Sequence, residues 1–214
     1  VPVYNPTHLA GIFSIFNSSA VKSAQLIKGS FPARFGGRLS SVLDIWMKEG
    51  NRKEVRSEIN LGLTGAKFSL EGPLKKDTSS FFVSGRRSYM NIFIRPISER
   101  IKEDRGQTGE STYDFYDINA KVNIQTGPRD QVFLSFYNGK DDFHNDNARS
   151  VSLFDDLFRY EEESSQDLDW GNTIASFRWN HLFGDMLFAK ASINYSRYFF
   201  QSRDINTYQD TFLV

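Results

Sequence analysis

The sequence contains no cysteine. That removes disulfides, cysteine-ligated zinc and cysteine nucleophiles together. It has no net charge either, with 26 Lys+Arg against 26 Asp+Glu, so no basic nucleic-acid footprint stands out. Long apolar runs are also missing. The longest, Met186 to Ala189, has four residues, whereas a transmembrane helix needs roughly 18 or more. Catalytic signatures are scarce. No Gly-x-Ser-x-Gly elbow and no phosphate-loop spacing occurs. The three histidines, His8, His144 and His181, fall in unlike segments. No catalytic residue, metal or cofactor is assigned from the sequence. A membrane β-barrel survives all these exclusions, because its strands alternate apolar and polar residues and keep mean hydropathy low.

What the chain does have is aromatics, 15% of its 214 residues, 20 of them Phe. It also has an uneven charge. Residues 1–52 carry six basic and two acidic groups, a net of +4, and the remainder a net of −4. The texture changes at Gly50-Asn51, from short segments with glycine and proline turns to long period-two alternation. A domain boundary is placed there, giving 1–52 and 53–214.

The alternation predicts seven strands, over about 55–63, 66–72, 79–89, 115–125, 131–138, 171–182 and 187–195. In the fourth, Tyr116, Ile118, Ala120, Val122 and Ile124 oppose Asp117, Asn119, Lys121 and Asn123. The links alternate between short turns (72–78, 127–130, 184–185) and long loops (90–112, 141–168). In a meander, that puts the short turns at one end and the long loops at the other, as in transmembrane barrels. A soluble β-sandwich or lipocalin-like barrel also alternates, and periodicity does not say whether the apolar face points inward or to lipid. The first long loop predicts a short amphipathic helix after Pro96. In the second, Val151, Leu153, Phe154, Leu157 and Phe158 could form one face of a short helix, set among ten acidic residues between 141 and 169. Asp141 to Asn147 has oxygen ligands at close spacing, but lacks the glycine and glutamate of a calcium loop. His181, beside Trp179 and Phe183, reads as an interfacial aromatic position. In the first domain, 20–28 and 39–47 read as two short strands around the Gly36-Gly37 turn.

The stretch Ser30-Phe31-Pro32-Ala33-Arg34-Phe35-Gly36-Gly37-Arg38-Leu39-Ser40-Ser41-Val42-Leu43-Asp44-Ile45 resembles the end of the plug domain of TonB-dependent outer-membrane receptors. Val3 to Leu9 and Phe13 to Asn17 resemble the plugs of such receptors in Bacteroidetes. Leu70-Glu71-Gly72-Pro73-Leu74, Ser84-Gly85-Arg86-Arg87-Ser88-Tyr89, Tyr137 to Asp142 and Phe177-Arg178-Trp179-Asn180 resemble the family's early barrel strands. The resemblance implies a mainly β chain: a partial plug domain plus about seven antiparallel strands of a large transmembrane β-barrel. It implies a fragment of a longer receptor in the Gram-negative outer membrane that takes up a nutrient such as a siderophore, vitamin, glycan or peptide. TonB would act through an N-terminal region not in this chain, and a surface lipoprotein could be a partner. The plug motif would comprise Phe31, Pro32, Arg34, Gly36, Gly37, Arg38 and Asp44. The apolar strand faces would meet lipid, and Lys67, Glu71, Arg86, Asp117, Lys121 and Arg178 would point into the lumen, able to pair with Arg34, Arg38 or Asp44. A non-energised outer-membrane barrel with a structural role, or a soluble β-barrel binding module, are the alternatives.

Overall fold

A computed structural model describes residues 2–8, 11–29, 32, 35, 41–153 and 158–212. The amino-terminal segment holds two small antiparallel pairs: β1 (Thr7–His8) with β2 (Phe13–Ser14), and β3 (Val21–Lys28) with β4 (Ser41–Met47). The rest is one antiparallel meander of β5 (Arg56–Leu61), β6 (Gly65–Lys75), β7 (Ser79–Ser88), β8 (Ser111–Gln125), β9 (Asp130–Leu153), β10 (Phe158–Leu182) and β11 (Phe188–Phe212). Helix α1 (Asn91–Glu103) links β7 to β8. The sheet is open, with β5 and β11 as its edges.

All seven predicted strands are present, but the last three are much longer than their alternation. Each of β9 to β11 runs for 24 or 25 residues. The predicted long loop at 141–168 is strand over its described residues, 141–153 and 158–168, and Val151, Leu153 and Phe158, which could have formed one face of a short helix, are strand residues. Val151 and Leu153 belong to β9 and Phe158 to β10, while 154–157 lie outside the described residues. The ladder is continuous from Phe158↔Leu153 down to His181↔Asp130. Backbone pairing defines these strands, and both of their faces carry polar residues, so no hydrophobic period marks them. In the other long loop the helix begins at Asn91, ahead of its predicted start after Pro96, and takes the proline inside. Pro96 has no N–H, so the helix gives up one backbone hydrogen bond there.

The sheet distributes its side chains in the reverse of a water-soluble domain. Among the described residues the buried side chains include six apolar ones and fourteen polar or charged ones. Ser80, Ser84, Asp117 and Asn123 are wholly buried, while Ile59, Leu61, Phe68, Ile118, Leu134, Phe136, Ile193 and Tyr195 are exposed. Strand register explains this. The row Leu70↔Val83↔Ala120↔Phe136↔Ala175↔Tyr195 crosses six strands on one face. One residue further along each strand, Glu71↔Phe82↔Lys121↔Ser135↔Ser176↔Asn194 lies on the other. Period two puts neighbours in sequence on opposite faces.

The apolar band does not follow the hydrogen-bonded rows. On β5 it reaches Leu61, whose row runs through Ala66, Arg87, Tyr116, Lys140 and Gly171 to Phe199. On β9, β10 and β11 the unbroken apolar alternation stops at Phe136, Ala175 and Tyr195, four residues short of that row. The band thus slants across the strands, as a level band does when strands tilt and the register is staggered. At the short-turn end, the Trp179 and Phe183 rings lie 5.4 and 4.4 Å from the His181 ring, which bonds Asp130 at 2.7 Å.

Candidate functional site

The polar face of the sheet is covered by the amino-terminal segment. Lys67, Arg86 and Asp117 share one cross-strand row with Gly139 and Asn172. Glu71 and Lys121 share the next, four residues along. Arg178 lies one step beyond, in the row Ser80↔Asn123↔Phe133↔Arg178. All six charged residues singled out from the sequence therefore sit on one face. Five of them touch the amino-terminal segment or the residues that lead out of it. Lys67 Nζ donates to Ser18 Oγ at 2.9 Å. Arg86 Nη2 donates to the Ser14 carbonyl at 2.8 Å. Asp117 lies beside His8, and Lys121 and Arg178 approach Glu49 at 3.5 and 3.7 Å. Glu71 instead stands opposite Arg56 within the sheet.

The anticipated partners differ from those found. Phe31, Arg34, Gly36, Gly37 and Arg38 lie outside the described residues. Pro32 is described and brings no side chain to these contacts. Asp44, on β4, accepts a hydrogen bond from Trp46 Nε1 at 3.3 Å and pairs with none of the six. The carboxylate that meets Lys121 and Arg178 is Glu49, next to the link between segment and sheet. There Gly50 has φ +87°, and a Cβ on it would sit 2.2 Å from the Phe81 carbonyl oxygen, so only glycine fits. Ser80 Oγ donates to the Glu49 carbonyl at 2.8 Å and fixes the same link.

The most buried contact centres on His8, which sequence reasoning left without a role. Its ring is 1% exposed. Nδ1 lies 2.7 Å from Asp141 Oδ2, and Nε2 lies 3.6 Å from Asp117 Oδ2. Arg86 Nε donates to the same Asp117 oxygen at 2.5 Å, and the Tyr113 hydroxyl donates to Asp141. The imidazole stacks on Phe115 with centroids 4.4 Å apart, and the Arg86 guanidinium lies over the same ring at 5.1 Å. Two buried carboxylates and one guanidinium leave a negative charge, which an imidazolium balances. Burial pulls the His8 pKa down, but the bonds to Asp117 and Asp141 outweigh it, and the net shift is upward. Through its contact with Asp141 and its approach to Asp117, His8 pins the amino-terminal segment to β8 and β9. Further contacts extend the seam: Asn172 Nδ2 donates to the Asn5 carbonyl at 2.9 Å, and Ser196 Oγ to that of Pro2 at 3.1 Å.

The extended β9–β10 hairpin carries a second histidine between carboxylates. His144 Nδ1 meets Asp167 and Nε2 meets Asp146, each at 2.6 Å. The Asp167 bond, aided by Asp146, raises the His144 pKa against partial burial. This pairing also shows why Asp141 to Asn147 is not a calcium loop. On a strand, Asp142, His144 and Asp146 point to one face and Asp141, Asn145 and Asn147 to the other. Among the described residues no group of three or more His, Asp or Glu is arranged to hold a metal ion.

Nothing in the sequence pattern pointed to His8, Tyr113, Asp141 or Glu49 as partners. His8 and Asp141 are 133 positions apart, and the amino-terminal segment has no periodicity to give its side chains a direction. The chain matches no family model, no curated protein and no solved structure.

Proposed function

We propose that the chain is part of a TonB-dependent receptor of the Gram-negative outer membrane, comprising the carboxy-terminal part of the plug and the first barrel strands. The observation that carries this reading is the inverted sheet. An exposed apolar band across seven strands, backed by a buried polar face, suits a wall between lipid and a polar lumen. In water such a patch would be an association surface. Three further features support it: the slant of the band, the short turns at one end with the long hairpin at the other, and the polar contacts that hold the amino-terminal segment.

That polar seam suits a plug that must move. A dry apolar interface resists rearrangement, whereas hydrogen-bonded groups can exchange partners for water at small net cost. In this reading the β9–β10 hairpin faces the cell exterior and contributes to the ligand-binding rim. Force from TonB on the plug shifts the amino-terminal segment, breaks the His8 and Arg86 contacts and opens a path along the polar face. The chain's residues act by holding and releasing the plug.

Density-gradient fractionation of cells expressing the complete gene product tests the location. The protein is expected in the outer-membrane fraction, and recovery as a detergent-free monomer in the soluble fraction would overturn the reading. Binding of the purified product to the TonB carboxy-terminal domain tests the energised function. A protein in the outer membrane that does not bind TonB would be the non-energised barrel.

A further inference from the structure

Near the short-turn end the polar face departs from the balance seen around His8. Lys121 on β8, Arg178 on β10 and Lys190 on β11 line a recess of about 230 Å³ together with the hydroxyls of Ser135, Ser176 and Ser192. Among the described residues no acidic side chain lines it. Glu49 approaches at 3.5 Å from Lys121 and 3.7 Å from Arg178, too long for strong charge-assisted bonds. Among the described residues Lys190 has no carboxylate within 4.0 Å. The Arg178 guanidinium carbon lies over the Phe133 ring, 3.8 Å from its centroid. Its buried Nε has no hydrogen-bond partner. Three cations sharing one carboxylate, with an unsatisfied guanidinium donor among them, suit an anionic group.

We propose that this recess binds a small solute bearing a carboxylate or phosphate group, with Arg178 donating through Nε, Lys121 and Lys190 neutralising charge, and the Ser135 and Ser192 hydroxyls completing the bonds. The volume accommodates one such group. The recess shares Lys121, Arg178 and Lys190 with a cavity of about 490 Å³ beneath the amino-terminal segment, where Ile15, Phe16 and Trp46 stand beside Asp44 and Glu49. An anion with an apolar body can therefore place its head in the recess and its body in that cavity. The site goes beyond the transport reading and does not depend on it.

Calorimetric titration of the purified complete protein with inorganic phosphate, and separately with citrate, tests the site at constant ionic strength. Saturable binding of at least one probe at one site is expected, and the two arms tell a phosphate site from a carboxylate site. Arg178→Gln and Lys190→Gln should each weaken it at least tenfold, while Lys76→Gln, in the β6–β7 turn, should not. Lys190 is exposed, so Lys190→Gln remains a fair test if Arg178→Gln fails to fold. Absence of saturable binding, or equal binding by wild type and both recess variants, would overturn the proposal. Anion binding by a protein that does not bind TonB would leave the site standing and remove only the transport reading.

Discussion

The two faces of the sheet are built from the same strands, residue by residue in alternation, yet they solve opposite problems. One face exposes Ile118, Phe136 and Ile193, and the other buries Asp117, Asn123 and Ser84 under the amino-terminal segment. The lesson is that burial here is not hydrophobic burial. The apolar face stays exposed, whereas the polar face is covered by a polar segment that pairs its charges and leaves groups such as Ser84 Oγ and Asn123 Nδ2 without a hydrogen-bond partner. The polar face pairs its charges closely around His8 and loosely around Arg178, which separates a contact that holds from a recess that receives.

The largest effect should come from breaking the closely paired part. Asp117→Asn leaves Arg86 and His8 without their shared carboxylate, and loss of one partner from a buried pair costs about 3–5 kcal/mol. Urea unfolding of the purified protein in detergent, followed by tryptophan emission, should show that loss. The apolar face breaks differently. Phe136→Arg should cost about 2–4 kcal/mol if the residue sits at the bilayer midplane, read as reduced assembly into membranes, whereas arginine at an exposed position in water would be nearly neutral.

A smaller and pH-dependent effect is expected at His8. Its folded pKa lies above its ordinary value of 6.5, so the folded state binds the extra proton more tightly. The stabilisation is complete below about pH 6.5 and is lost as pH rises through the raised folded pKa. Protease cleavage of the amino-terminal segment should accelerate across that interval in wild type. His8→Gln should lose about 1–3 kcal/mol through the unsatisfied buried carboxylates and show no such step. His144→Gln sharpens the contrast from the small end. Its pairs are half-exposed, and the loss should stay under about 1 kcal/mol by the same urea assay.

The sequence made strand and face legible wherever one side of a strand is apolar. Tyr116 to Ile124 alternates cleanly because one side faces the band and the other meets Lys121's polar neighbours. That parity also carries Lys67, Arg86, Asp117 and Arg178 to a common face through three hairpins and the helical link between β7 and β8. Legibility ends where both sides are wet. The upper halves of β9 and β10 read as loop because Asp142, His144 and Asp146 on one face oppose Asp141 and Asn145 on the other, so polarity never alternates. The His8 contacts were illegible for another reason. They are set by how a non-periodic segment folds over the sheet, and no local pattern encodes a meeting across 133 positions.

These 214 residues contain no cysteine, so a thiol introduced on the sheet is unique within them. Ile193 and Asn194 are neighbours on β11, one on the apolar face and one on the polar face. Single cysteines at each position, labelled with bimane in the complete protein reconstituted into bilayers, can be exposed to lipids carrying a nitroxide on the acyl chain. If the apolar face meets lipid, position 193 is strongly quenched and position 194 little. Equal, weak quenching at both positions, with both labels open to aqueous iodide, would contradict it.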